Sequence, residues 1–224
     1  MKKLTDWNPR PRPARVTLEG SFCRLEPLNP LAHGKHLFEA SMAPGVEDRF
    51  RYLFDSPQDR AGFDGWLARA AASEDPMFYA VIDSASQRCE GRQALMRITP
   101  EHGVIEVGNI LWGPAIARSR VATEALFLFA RYAFEDLGYR RFEWKCDARN
   151  EPSMRAARRF GFRYEGTFRQ HMVVKGQNRD TAWFAIVDID WPSIRSAFEK
   201  WLAPTNFDDR GEQKTRLEEL RRRD

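Results

Sequence analysis

The sequence predicts an α/β (α+β) fold, a mixed and mostly antiparallel sheet of about seven strands with helices on both faces. Three observations lead there. Strand-like runs at Phe78–Asp83, Arg92–Thr99 and Val104–Trp112 follow one another, and Pro100-Glu101-His102-Gly103 joins the last two by a turn-rich link that favours antiparallel pairing. After Trp112 the order changes to strand–helix–strand–helix–strand. A chain of 224 residues, 42% hydrophobic and 12% aromatic, is long enough for one substantial domain with its own core and does not require two.

Element by element, residues 1–15 read as an extended arm, because Pro9, Pro11 and Pro13 alternate with Arg10 and Arg12. Residues 16–203 form the expected domain, and 204–224 a charged tail that is solvated or partly helical. Val16–Glu26 carries Val16, Leu18, Phe22 and Leu25 around Gly20-Ser21, which suggests two short strands or a hairpin. A helix is expected near Leu31–Met42. Ser56-Pro57 reads as an N-cap followed by a first-turn proline, opening a helix through Trp66 to about Ala72. Val121–Leu137 is apolar through its middle, so it should be buried against a sheet, and Gly138 should stop it. Arg140–Cys146 alternates as a strand and Met154–Phe160 is helical up to Gly161. Tyr164–Val174 and Thr181–Ile189 form a hairpin turning at Lys175-Gly176-Gln177-Asn178, and Trp191-Pro192 starts a last helix to about Leu202.

Composition narrows the function classes. No apolar run approaches a membrane span, and the charged N-terminus lacks the apolar stretch of a signal peptide, so a cytoplasmic protein without a membrane partner is expected. Cys23, Cys89 and Cys146 lie far apart; with no C-x-x-C and four histidines, neither a disulfide framework nor a metal site is suggested. His33 and His36 read as surface residues of a polar helix. The net charge of +4 is modest, but residues 140–169 hold nine Arg or Lys against four acids. Such a face suits nucleic acid or a phosphorylated cofactor, and the region lacks the interleaved exposed aromatics that stack bases.

Chemistry concentrates between Glu106 and Phe162. The loop Gly113-Pro114-Ala115-Ile116-Ala117-Arg118-Ser119-Arg120 places a helix N-terminus and two arginines where a strand ends. Unpaired first-turn N–H groups and the helix dipole both favour an anion there. Asn150-Glu151-Pro152-Ser153 opens the next helix, which ends at Phe160-Gly161-Phe162. Asn150 also reads as a simple helix cap. Cys146 has no activating partner in sight and reads as a buried structural thiol.

This order resembles the acyl-CoA-binding half of the GNAT N-acetyltransferase superfamily, its RimJ/RimL-type branch in particular. The resemblance covers about Val16 to Trp191. It implies a sheet split between its fourth and fifth strands, here those ending near Trp112 and beginning near Arg140. It also implies acetyl-CoA as co-substrate, with a primary amine as acceptor, and admits a homodimer. Aligned on Ala122-Thr123-Glu124-Ala125, the pyrophosphate loop falls at Ala117–Ala122, so Arg118, Ser119, Arg120, Val121, Ala122 and Thr123 are the implied contacts. Ala117 stands where the family has Gln or Arg, and Arg120 where it usually has glycine.

The backbone of Ile110, Leu111 and Trp112 is implied to hold the pantetheine arm and polarise the carbonyl, and Asn150 and Ser153 to contact that arm. Glu106 resembles the glutamate that accepts the amine's proton; taken alone it reads equally as a surface strand carboxylate. The usual general-acid tyrosine falls at Ala157, leaving Tyr164, Ser153 or water. His171 is implied as an acceptor contact, and Asp180 is an exposed acid that could meet a cationic acceptor. A protein N-terminal amine is the acceptor the resemblance favours, with polyamines, amino acids and aminoglycosides open. The rival readings are a non-catalytic acyl-CoA sensor and a basic nucleic-acid-binding module.

Overall fold

The computed structural model describes residues 4–221. Eight strands form one sheet: β1 (Leu18–Glu19), β2 (Cys23–Pro27), β3 (Met77–Asp83), β4 (Cys89–Thr99), β5 (Val104–Trp112), β6 (Arg141–Asp147), β7 (Arg163–Val174) and β8 (Gln177–Val187). Their spatial order is β1-β2-β3-β4-β5-β6-β8-β7, and every pair is antiparallel except β5–β6. Val16–Glu26 forms the expected pair of short strands, Leu18 opposite Leu25, which brings the sheet to eight strands.

Helices α1 (Pro30–Met42), α2 (Val46–Phe50) and α3 (Arg60–Ala72) precede β3; α4 (Arg120–Arg131) and α5 (Glu151–Arg159) flank β6; α6 (Trp191–Leu202) and α7 (Leu217–Arg221) close the chain. Strand β3 shows how the layers form. Alternation sends Phe78, Ala80 and Ile82 into a cluster with Leu37 of α1 and Phe63 and Leu67 of α3. Tyr79 and Val81 join the larger cluster on the other face, with Leu126 and Phe129 of α4 and Phe198 of α6. Helices therefore cover both faces, as expected. Among the described residues, no helix is long and apolar enough to cross a membrane.

Several local readings are revised. The helix α3 starts at Arg60, where Asp59 accepts from the Gly62 amide at 2.8 Å, so the cap is Asp59 and not Ser56. Helix α4 stops being α-helical at Arg131 and continues as a π-turn over Tyr132–Asp136, in which the Leu137 amide donates to the Tyr132 carbonyl. Gly138, at φ 66°, ends it as predicted. The β7–β8 turn is only Lys175-Gly176, both at positive φ, with Val174 opposite Gln177, so Asn178 to Asp180 belong to the strand. His33 is buried, holding Glu26 through Nε2 at 2.9 Å and accepting from the Asn29 amide through Nδ1.

The arm is extended and docked: the Trp7 Nε1–H donates to the Glu101 carbonyl, and Tyr79 donates its hydroxyl proton to Ala14. The tail is partly helical and packs on the domain at its apolar residues, while residues 208–214 are exposed. Phe207 and Leu217 are buried in the main core, and Trp201 donates to Gln213 at 2.7 Å.

Candidate active site

A break in the sheet makes the site. β5 pairs with β6 only from Val104 to Val107, so beyond that point the two strands part and the β5 edge facing β6 carries no ladder. The cause is visible on the other side of β5. Gly108 pairs with Ala94 but Leu111 with Arg92, which leaves Asn109 and Ile110 opposite one residue. Asn109 takes φ 50°, a bulge that bends the strand away. Gly108 sits against Met96, whose sulfur would lie 2.4 Å from an added Cβ, so a side chain there would require Met96 to move.

Two cavities meet at this split and share Arg49 and Ile110. The first, about 1130 Å³, runs from Ile110, Leu111 and Trp112 past Ala117–Arg120, Ala122 and Thr123 to α5 and the tail. The second, about 660 Å³, is lined by Glu106, Gly108, Lys145, Cys146, Asp147, Asn150, Ser153 and Arg179, with Tyr52 and Phe54 from the segment after α2. Val121 faces a neighbouring depression with Phe22. His171 lines neither cavity: it is exposed on β7, hydrogen-bonded to Thr181 at 3.0 Å and packed against Phe168 and Trp183. The implied cofactor contacts and Glu106 therefore line one or other cavity, Val121 excepted, whereas His171, Tyr164 and Asp180 line neither.

At the α4 N-terminus, Ser119 is the cap. Its oxygen accepts from the Val121 amide at 3.1 Å while its own proton goes to the Ile116 carbonyl. The left-handed position of the loop is Arg118, at φ 61°, and its side chain is exposed. Arg120 begins the helix, and its guanidinium lies between the rings of Phe22 and Phe207 at 4.7 and 4.8 Å. A cation not flagged in the sequence takes its place beside the cap: Arg159 of α5 donates to the Thr123 hydroxyl at 3.1 Å. Arg159 has no ion-pair partner among the described residues, and burial lowers its pKa. Its signal was helical spacing, since Ser153, Ala156, Arg159 and Phe160 form one stripe along α5 and all line the two cavities. Glu124, next along α4, is structural: its carboxylate accepts from the amides of Ser21, Phe22 and Cys23.

In the smaller cavity Glu106 is no surface residue. It is 2% exposed, with Arg97 Nη1 at 2.6 Å from one oxygen and Lys145 Nζ at 2.8 Å from the other. Burial raises its pKa, and the two cations oppose that rise. Lys145 also reaches Glu143 at 2.6 Å and lies over Trp183. Asn150 caps α5 by accepting from the Ser153 amide, and the Ser153 hydroxyl accepts from Trp144 Nε1 at 3.0 Å, so both carry structural bonds while lining the cavity. Cys146 is buried, which raises its thiol pKa. Ala157 is fully buried, and Tyr164 bonds Thr167 on the exposed β7, away from both cavities. The tyrosine that does reach the cavity is Tyr52, whose hydroxyl donates to the Arg149 carbonyl at 3.2 Å.

The model of the acetyltransferase (GNAT) domain matches residues 24–163. A GCN5-related N-acetyltransferase from Brucella melitensis is 57% identical over 98% of this chain and 100% of its own, with a TM-score of 0.97. A protein from Chromobacterium violaceum ATCC 12472, described as a "probable" acetyltransferase of the GNAT family, is 39% identical over 86% of this chain and 96% of its own, TM-score 0.79. RimL, a ribosomal L7/L12 alpha-N-protein acetyltransferase, shares the fold at 18% identity, covering 80% of this chain and 98% of its own with TM-score 0.66. A search of curated proteins returned no match. The domain match spans the split strands and both helices that border the cleft, and with the Brucella likeness it establishes that this chain belongs to the GNAT acetyltransferase family.

Proposed function

We propose that the protein transfers an acetyl group from acetyl-CoA to a primary amine in the cytoplasm, as a RimJ/RimL-like enzyme. The observation that carries this reading is the meeting of an unladdered β5 edge with the N-terminus of α4 and the unpaired Arg159. A half-buried guanidinium beside the positive end of a helix is electrostatically costly alone and favourable once an anion sits between them. The pyrophosphate of acetyl-CoA is that anion, held by Arg118, Arg159 and the first-turn amides around Ser119–Thr123. The free edge at Ile110–Trp112 matches the amides of an extended pantetheine arm, which adds to it as a strand would. Asn150 and Ser153 flank the arm from α5.

The co-substrate supplies an activated thioester. The amine nitrogen donates its lone pair to the acetyl carbonyl carbon, the C–S bond breaks, the amine loses a proton and the sulfur gains one, giving an amide and free CoA. In this reading Glu106 receives the amine's proton through water, aided by burial that raises its basicity. Tyr52 and Ser153 are the hydroxyl-bearing residues lining that cavity, and in this reading one of them returns a proton to sulfur.

A turnover screen with acetyl-CoA against amines and peptides, following released thiol, tests the proposal. Acetylated product from at least one acceptor supports it. Thermal stabilisation by CoA with no turnover on any acceptor would replace it with a non-catalytic sensor.

A further inference from the structure

Arg179 of β8 is a buried cation without an acidic partner. It is 6% exposed, its Nε has no hydrogen-bond partner, and its guanidinium lies 5.1 Å from the centre of the Phe54 ring. The other cations around the cavity are occupied. Arg97 and Lys145 hold Glu106, Arg149 holds Asp147 with two bonds at 3.0 and 2.8 Å, and Arg51 holds Asp48 at 2.7 Å. Arg49 donates to the carbonyls of Ser41, Ala43 and Pro44. Among the described residues lining this cavity, Arg49 and Arg179 are the cations without an ion pair; Arg49 is held by backbone carbonyls, and Arg179 has neither carboxylate nor carbonyl.

Its position is as informative as its isolation. Arg179 lies in the wall between the 660 Å³ cavity and an adjoining pocket of about 210 Å³, where Arg51, Arg149 and Lys175 surround a single acid, Asp147. Burial lowers the pKa of Arg179, and the charges of Asp147 and Glu106 offset only part of that cost. A buried guanidinium is retained at such a cost where a planar anion completes it, because its fork of donors matches a carboxylate bidentately. Asp180, the acid beside it, points to no acceptor: it accepts from the Gln170 amide at 2.7 Å and the Asn178 side chain at 2.9 Å.

We propose that Arg179 anchors the acceptor and that the amine acetylated by this protein carries a carboxylate. The inference rests on the acetyl-transfer reading above and deepens it. The carboxylate docks on Arg179 at the far wall while the amine points past Lys145 and Glu106 to the split. Polyamines and aminoglycosides, which bring more positive charge and no anion, do not fit this wall. The shared chemistry has two sources, a free amino acid and a peptide whose first residue is acidic.

Matched acceptors tell these apart and test the claim. Free amino acids are compared with their carboxamides, and C-terminally amidated peptides beginning with Glu or Asp with the same peptides beginning with Gln or Asn. For the wild type, kcat/KM should favour the carboxylate member of one set by about ten- to a hundredfold, mainly through KM, as expected for a charged hydrogen-bonded pair. Arg179→Gln should abolish the preference with the KM for acetyl-CoA unchanged, and Arg179→Lys should restore part of it. Arg179→Gln should also keep or raise the melting temperature, because it removes a buried charge that its acidic neighbours offset only in part. Equal rates on both members of each pair, or a preference that survives Arg179→Gln, would overturn this inference and leave acetyl transfer standing. No turnover on any acceptor would overturn both.

Discussion

At the scale of single residues, alternation along a strand decides which side chain is chemical. Read as a turn, Asn178-Arg179-Asp180 offers its acid to solvent; with the turn shortened to Lys175-Gly176, the same residues alternate and Arg179 enters the cavity. Where the hairpin reverses is not legible in composition, so these three residues read as a turn and Arg179 was not singled out. Glu106 was legible, since its spacing from Gly108 and Ile110 sets its face, but its two cationic partners come from β4 and β6 and appear only with the sheet assembled. Glu106→Gln should lower turnover by about a hundred- to ten-thousandfold. The wild-type rate should fall as pH drops through the raised Glu106 value, because the protonated acid accepts no proton, and the variant should lack that limb. The loss should shrink as pH rises and more acceptor arrives neutral. Superimposable pH–rate profiles would reduce Glu106 to a structural anion. Cys146→Ala, by contrast, should keep turnover within severalfold, because burial holds the thiol protonated; loss of acetyl transfer in a folded variant would argue for a covalent route.

At the scale of elements, the strand–loop–helix order from Val104 to Phe160 was readable because its signals are local: alternation, a capping asparagine and a stopping glycine. What stayed hidden was the bulge at Asn109, which depends on pairing with β4. Close backbone approach maintains that region. A Cβ at Gly91 would sit 2.7 Å from the Leu111 carbonyl oxygen, so Gly91→Ala should push β5 outward at the bulge. Overpacking of this kind costs about 1–3 kcal/mol, measurable by denaturant unfolding, and should weaken CoA binding as well. An unchanged midpoint together with unchanged CoA affinity would mean that β5 adjusts freely there. Ser119→Ala should cost about 1 kcal/mol through the lost cap, again read from the unfolding midpoint.

At the scale of the molecule, the tail is the part sequence reasoning read least well. Its charges balance and its few apolar residues, Phe207, Leu217 and Leu220, are too sparse to show a period, yet they pack into or against the core, and Phe207 with residues 210–214 walls the larger cavity. Deleting residues 204–224 should therefore lower both the melting temperature and CoA affinity; an intact melting temperature would show the tail to be dispensable packing. The basic stretch 140–169 likewise changes meaning in three dimensions, because Arg141, Lys145, Arg149 and Arg163 each face a carboxylate. Arg159 within that stretch and Arg179 of β8 line the cleft without an ion pair. The most direct test of the account is calorimetric titration of CoA into the wild type and an Arg118→Glu/Arg159→Glu variant shown to be folded. Two charge-assisted contacts worth about 1.5–3 kcal/mol each should be lost and turned repulsive, so binding should weaken by several kcal/mol. Equal affinity in the two proteins would contradict the placement of the co-substrate at the α4 N-terminus.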